Sequence, residues 1–409
     1  MMDLQVWWND LEVGMLNPSP MGGLRFQYVD RWLERPEARP LSRSLPLQAK
    51  PQAEASATAF FAGLLPEEQI RQRVAASLGL SEGNDFALLQ ALGGDCAGAI
   101  RILEPGKESA IPEKPLYLDD RELAKRLRDL PRRPLLAGES GVRLSLAGAQ
   151  TKLAVRREPE GWSLSNAHWP STHILKPEPE AYPGLVSVEA FCLNASALAG
   201  IPTVKVEQLD FEGLPVLCIK RYDRLVQDSG EVSRNHQEDF CQSLGLPPHR
   251  KYQQEGGPSA KDTVECIRSW STTPVLDLRQ FVDQFIFNVL IGNADAHGKN
   301  FSWIYSNHTR RLAPAYDLVS TTLWPELSSR LAMRAGRAKY VEEVTRDHLK
   351  QFAKDTGLSA PMVRERTKSM CATFEQHLPR LLDTFPKLLP DHRVELETGI
   401  RRRSKKILT

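Results

Sequence analysis

The chain has 409 residues, 53 of them Lys or Arg and 51 Asp or Glu, and its formal charge of +2 gives no general affinity for polyanions. That length exceeds what one small core supports and predicts two or three packed lobes. Six cysteines, at 96, 192, 218, 241, 266 and 371, form no Cys-x-x-Cys pair and no short framework spacing, which excludes a zinc ribbon or disulfide scaffold and predicts reduced thiols in a cytoplasmic protein.

The first nine residues carry neither the basic nor the apolar region of a signal peptide. No apolar run approaches the ~20 residues that a bilayer crossing needs, so no membrane is expected as a partner. Apolar and polar residues alternate at Leu4, Val6 and Trp8, turn at Asn9-Asp10 and resume at Leu11, Val13 and Met15, which predicts a half-buried hairpin. Residues 60–103 predict short helices, one starting behind Pro66 with Glu67 and Glu68, punctuated by Gly79, Gly83 and Gly93-Gly94. Residues 104–114, with Pro105, Gly106 and Pro112, read as the first connector. Between residues 143 and 219 strands dominate, interrupted by one helix that starts after Ser187 as N-cap and stops at Gly200-Ile201-Pro202. The expectation is a sheet with a single helix laid on it. Residues 203–209 and 214–219 flank a turn at Asp210-Phe211-Glu212-Gly213 and predict a second hairpin, ending at Lys220-Arg221-Tyr222. Behind Tyr222 the chain turns mostly helical, and over residues 276–290 Phe281, Val282, Phe285, Ile286, Val289 and Leu290 recur at helical spacing. Arg401-Arg402-Arg403-Ser404-Lys405-Lys406 closes the chain as a short basic cluster without aromatic residues.

The most specific signal follows the buried helix. In Asn293-Ala294-Asp295-Ala296-His297-Gly298-Lys299-Asn300, four residues separate an Asp from an Asn, the spacing of a kinase catalytic loop. An Asp there accepts the proton of a substrate hydroxyl, and the Asn supplies a neutral oxygen to magnesium. Residues 301–305 and 311–316 read as a strand and its return, delivering Asp317 of Tyr316-Asp317-Leu318 to the same loop as a second metal ligand. Upstream, His173-Ile174-Leu175-Lys176 ends an apolar strand on a lysine, and Glu189 lies 13 positions later on the helix, the order in which a kinase holds nucleotide phosphates. Ser145-Leu146-Ala147-Gly148-Ala149-Gln150-Thr151-Lys152 is a turn of small residues that presents backbone N–H groups to phosphates.

Each feature alone has a plainer reading: turn chemistry for Asp-x4-Asn, an edge residue for the lysine. Together, and in this order, they predict ATP- and magnesium-dependent phosphoryl transfer. A metal-dependent nuclease built on Asp295, Asp317 and Glu189 competes, but it needs neither Lys176 nor the phosphate loop. His236 and His297 stand singly and predict no zinc.

At these residues the sequence resembles the HipA family, the kinase component of a bacterial toxin–antitoxin system. Further motifs carry the likeness: Ala38-Arg39-Pro40-Leu41-Ser42-Arg43-Ser44-Leu45-Pro46-Leu47-Gln48, Phe60-Phe61-Ala62-Gly63-Leu64-Leu65-Pro66 and Gln237-Glu238-Asp239-Phe240-Cys241-Gln242. The resemblance implies an α+β, bilobal protein-kinase-like fold. An N-terminal subdomain would span residues 1–110, a sheet-rich small lobe 111–222 and a helical large lobe 223–409, with an ATP cleft between the lobes. It implies Asp295 as catalytic base, Asn300 and Asp317 as magnesium ligands, and Lys176, Glu189, Ala147, Gly148, Ala149, Gln150, Thr151 and Lys152 as holders of ATP. Lys220, Arg221 and Tyr222 would form the adenine hinge, although Lys220 stands where a neutral or acidic residue is expected. His297, Gly298, Lys299 and Tyr316 complete the nucleotide-facing set. Ser145 would be autophosphorylated, which places charge beside bound triphosphate and inactivates the enzyme. The implied partners are a HipB-like helix-turn-helix antitoxin, operator DNA through that antitoxin, and an aminoacyl-tRNA synthetase as protein substrate, glutamyl-tRNA synthetase first. A DNA-bound corepressor with little catalysis, its basic cluster touching phosphates, is the competing role.

Overall fold

The computed structural model describes residues 3–20, 22–107, 115–138, 145, 147–148, 150–306 and 308–409. Two compact units emerge, one of Met1–Pro177, Leu209–His249 and Ile304–Ser306, the other of Glu178–Gln208, Arg250–Trp303 and Asn307–Thr409.

The first unit opens on the expected hairpin, Leu4–Trp8 against Leu11–Pro18, extended by Leu24–Tyr28 on one side and Ile100–Leu103 on the other. Ile100–Leu103 corrects the helical expectation for the stretch up to residue 103: four buried residues in a row form an edge strand of that sheet, paired with Leu4–Trp8. Periodicity cannot separate so short a buried run, Arg101 included, from a buried helix turn. Helices Glu54–Ala62, Glu68–Leu78 and Asp85–Leu92 cover this sheet, and Phe60, Phe61, Leu88 and Leu89 join Leu4, Val6, Val13 and Phe26 in one core.

A second core in the same unit lies under an antiparallel sheet. Tyr117–Leu118 pairs with Gly161–Leu164, that strand with Leu153–Glu158, then His173–Pro177, then Leu214–Lys220. The helix laid on this sheet is Asp120–Asp129, which begins with a reciprocal Asp119–Glu122 capping box and buries Leu123 and Leu127 beside Leu153, Val155 and Leu175. Reading the sequence missed it, because its apolar face is three residues wide in a charged segment.

The helix expected on the sheet, Leu185–Leu198, belongs to the second unit instead, where it packs against helices Pro274–Ile291 and Ala360–Asp383. Its N-cap is Gly184 in the left-handed region, and Ser187 lies buried inside the helix. The orphan N–H groups that a serine cap would have served are taken by Glu178, whose carboxylate accepts from Gly184 N and, at 2.8 Å, from Val186 N. Pro274–Ile291 is the buried axis of the unit: Phe285 stacks on Phe352 at 4.3 Å and Phe287 lies 5.9 Å from Phe374. The terminal basic cluster is part of the Pro390–Leu408 helix, and its Arg403 is buried. No helix among the described residues is long and apolar enough to cross a membrane.

Candidate functional site

In the second unit, helix Pro274–Ile291 ends on Gly292 at φ 79°, and a Cβ there would stand 2.4 Å from Thr322 Oγ1 and 3.0 Å from Arg403 Cζ. Glycine is therefore demanded by both the left-handed cap and the packing. The loop behind it is held at nearly every residue. Asn293, buried, donates from Nδ2 to Asn288 Oδ1 at 2.8 Å and accepts from Asp295 N at 3.0 Å, while Ala294 N donates to Thr321 Oγ1 at 2.9 Å. His297 N donates to Asp295 O at 2.7 Å, and Asn300 N to His297 O at 2.9 Å.

Asp295, the expected base, keeps its carboxylate half exposed at 49 %, with Oδ1 accepting from Tyr252 Oη at 2.8 Å and Oδ2 4.0 Å from His297 Nε2. Asn300 Nδ2 donates to Asp295 O at 3.0 Å, so its amide oxygen is turned away from that bond and serves as an acceptor or ligand. Asp295 and Asn300 thus share one loop, the Asn300 amide held by the Asp295 backbone and the Asp295 carboxylate by Tyr252. Tyr316 closes the return: its hydroxyl donates to Lys299 O at 2.7 Å and lies 2.6 Å from Ser302 Oγ. The residues before it are gripped by Ala315 N donating to Pro202 O at 2.7 Å and Val204 N donating to Ala315 O at 3.0 Å. Asp317 follows at φ 56°, a left-handed conformation that Asp tolerates better than most residues and that concentrates at functional sites. One carboxylate and one amide oxygen suit magnesium, which takes the rest of its shell from water and phosphate oxygens. Among the described residues no cluster of three or more His, Cys, Asp or Glu offers a transition-metal cage.

In the first unit, Ser145, Ala147, Gly148, Gln150, Thr151 and Lys152 are placed, whereas Ala149 lies outside the described residues. Gly148 adopts φ 107°, and Lys152 Nζ, which donates to Ala147 O at 2.6 Å, would stand 2.7 Å from any Cβ on it. The loop rests on the N-terminal module: Pro66 bridges Gly148, Glu67 N donates to Gly148 O at 3.4 Å, and the buried Ser145 donates from Oγ to Leu64 O at 2.6 Å. Two motifs 81 residues apart in sequence are one contact in space, which no local pattern discloses. Lys176 is buried at the end of its strand opposite Leu217, and Glu189 is buried in its helix; the two belong to different units.

The hinge residues diverge. Lys220 is exposed, and the Tyr222 hydroxyl donates to Gln237 Oε1. Arg221 turns inward: Nε and Nη2 reach the two oxygens of Asp223 at 2.9 and 2.7 Å, Nη1 donates to Ser171 Oγ at 2.8 Å, and its backbone N–H donates to Thr172 O at 3.0 Å. Its side chain is structural and does not read a base. Arg224 and Arg234 join it around Asp95, at 2.9 and 3.6 Å. Burial pushes the Asp95 carboxyl up, but Arg224, Arg221 and Arg234 outweigh it and hold the group well below the usual carboxylate range. Burial in turn pulls Arg234 down to about 10 despite Asp95.

Residues 4–103 match the HipA N-terminal domain and residues 144–378 the HipA-like C-terminal domain. The Sinorhizobium fredii protein Y4mE is 42 % identical over 393 residues, spanning 95 % of this chain and 94 % of that protein. The serine/threonine-protein kinase toxin HipA of Shewanella oneidensis is 31 % identical over 343 residues, covering 81 % of this chain and 78 % of the toxin. A solved Shewanella oneidensis complex of HipA, HipB and operator DNA superposes with a TM-score of 0.87 at 27 % identity, over 99 % of this chain and 97 % of that one. The chain therefore belongs to the HipA family of serine/threonine kinases.

Proposed function

We propose that this kinase transfers the γ-phosphoryl group of ATP, with magnesium, to a serine or threonine of a cytoplasmic protein, as the toxin of a HipBA-like toxin–antitoxin module. The observation that carries it is the Asp295–Asn300 loop, in which the Asn300 amide is fixed on the Asp295 backbone while the Asp295 carboxylate stays half open to solvent. Asp295 accepts the proton of the attacking hydroxyl, and the loop's hydrogen bonds hold it in place for that step. Asn300 and Asp317 would hold magnesium, which supplies charge neutralisation at the phosphates when bound. Lys176, Glu189, Lys152 and the backbone of residues 147–151 complete the phosphate-holding set, with His297, Gly298, Lys299 and Tyr316 framing the loop and Lys220 and Tyr222 at the hinge.

The protein substrate proposed is an aminoacyl-tRNA synthetase, glutamyl-tRNA synthetase first, and Ser145 is the proposed self-inactivating phosphosite. Its burial requires the loop to leave Leu64 before the hydroxyl can react. A helix-turn-helix antitoxin and operator DNA are the proposed partners, in line with the content of the Shewanella complex. Direct DNA contact by the basic cluster loses its support, since Arg401 pairs with Glu397 while Arg402, Arg403 and Lys406 all converge on Glu342.

The test is incubation of dephosphorylated protein with labelled ATP and magnesium, alone and with glutamyl-tRNA synthetase, for wild type, Asp295→Asn and Ser145→Ala. Wild type should label itself at Ser145 and label the synthetase, Asp295→Asn should lose both by at least about a hundredfold, and Ser145→Ala should keep the second. Folded wild type that binds ATP and transfers to neither would overturn the reading.

A further inference from the structure

Tyr252 stands 43 residues before Asp295 in sequence, yet its hydroxyl donates to Asp295 Oδ1 at 2.8 Å. We propose that Tyr252 is the positioning residue of the kinase base: it pins one carboxylate oxygen so that the other, Oδ2, faces the acceptor hydroxyl. This rests on the assignment of Asp295 as base.

The contact is built from both sides. The Tyr252 ring meets His297 edge-on at 5.2 Å, and the Lys251 ammonium lies 5.5 Å from the ring centre. One residue earlier, Lys251 O accepts from Gly298 N at 3.1 Å, so the same two-residue step also grips the loop's backbone. Tyr252 is fixed from behind by a tight turn, in which Glu255 N and Gly257 N both donate to Tyr252 O at 2.9 Å. Gly257 makes that turn feasible, since a Cβ there would stand 2.6 Å from Arg250 O and 2.8 Å from Tyr252 N. Gln253 then accepts from Arg334 N at 2.8 Å and ties the turn to the strand behind it. A phenol held this firmly fixes the rotation of the carboxylate it bonds. The 49 % exposure of the Asp295 side chain shows that the carboxylate is not covered by this contact and stays open to an acceptor. A free Asp side chain would instead sample rotations in which neither oxygen meets the acceptor, and a general base works only within hydrogen-bond reach.

Tyr252→Phe removes one oxygen and keeps the ring against His297 and Lys251. The experiment measures single-turnover phosphate incorporation into dephosphorylated protein across a range of ATP concentrations, for wild type, Tyr252→Phe, Asp295→Asn and the double variant, with thermal melting of each. The expected result is a maximal rate lowered about tenfold by Tyr252→Phe, the worth of one hydrogen bond to a charged carboxylate. Half-saturation by ATP and the melting temperature should be unchanged, and Tyr252→Phe should add nothing in the Asp295→Asn background. An active wild type with Tyr252→Phe at full rate, or with the loss appearing in ATP half-saturation or repeated in the Asp295→Asn background, overturns the positioning role alone. A wild type that transfers nothing overturns the kinase assignment and this inference with it.

Discussion

Glu238 and His236 lie two residues apart on the strand His236–Asp239, which puts both side chains on one face, yet burial moves their protons in opposite senses. Burial pushes Glu238 up to about 7 against hydrogen bonds from Ser42, Tyr305 and the Arg43 amide. Burial pulls His236 down to about 4, with its bond to Leu41 O opposing. Between its ordinary 4.5 and about 7, Glu238 binds more proton in the folded chain than in the unfolded one, so it lowers stability as pH rises. Between about 4 and its ordinary 6.5, His236 binds less proton when folded and raises stability as pH rises. The two slopes oppose each other up to 6.5. Glu238→Gln removes the falling slope, so its urea midpoint relative to wild type should climb from about pH 5 to about pH 7.5. Parallel profiles would refute the assignment. Gly292→Ala should be a severe single change: the left-handed cap and the 2.4 Å approach to Thr322 both resist a methyl group, with an expected loss of about 1–3 kcal/mol in denaturant unfolding.

Helix Pro390–Leu408 acts on helix Pro274–Ile291 through Arg403, whose Nε donates to Leu290 O at 2.8 Å and whose Nη1 donates to Glu342 Oε1 at 2.7 Å. A guanidinium on a terminal carbonyl is a favourable helix end, and here it sits two residues before Gly292. Arg403→Met keeps most of the volume and leaves that buried carbonyl without its donor, a loss of about 1–3 kcal/mol. Arg402→Met, at an exposed pair with the same Glu342, should change stability by less than about 1 kcal/mol. Equal losses would show that Glu342, and not Leu290, is the important contact. The same elements show where the sequence is readable. Helix Pro274–Ile291, Gly292 and the Asp-x4-Asn spacing are local, and their chemistry appears within about 25 residues of text. Tyr252, the Leu64–Ser145 bond and the place of the Leu185–Leu198 helix depend on partners dozens of residues away. Strand Ile100–Leu103 defeats periodicity because both its faces are buried. Arg221 reads as a hinge residue by position, but its direction is set by Asp223, two residues on, and by Ser171, 50 residues earlier, and only the fold brings Ser171 there.

At the scale of the molecule, Asp95 lies in the segment that matches the HipA N-terminal domain, and the three guanidinium groups around it lie in the segment that matches the C-terminal one. Removing a buried partner from such a set leaves uncompensated charge, so Asp95→Ala should destabilise by about 3–5 kcal/mol in equilibrium unfolding. Asp223 accepts from Arg221, Arg224 and Gly98 N, so it continues the same set. Asp95→Ala unfolding at the wild-type midpoint would overturn this account.

That distribution of charge bears on inheritance. Two acids and three arginines are divided between two stretches of one gene, each meaningless without the other, so a recombination event falling between residues 104 and 143 separates a lock from its key. Chimeras that join one member's leading half to another's trailing half should express as folded protein only when both parents carry the matching acid and arginines.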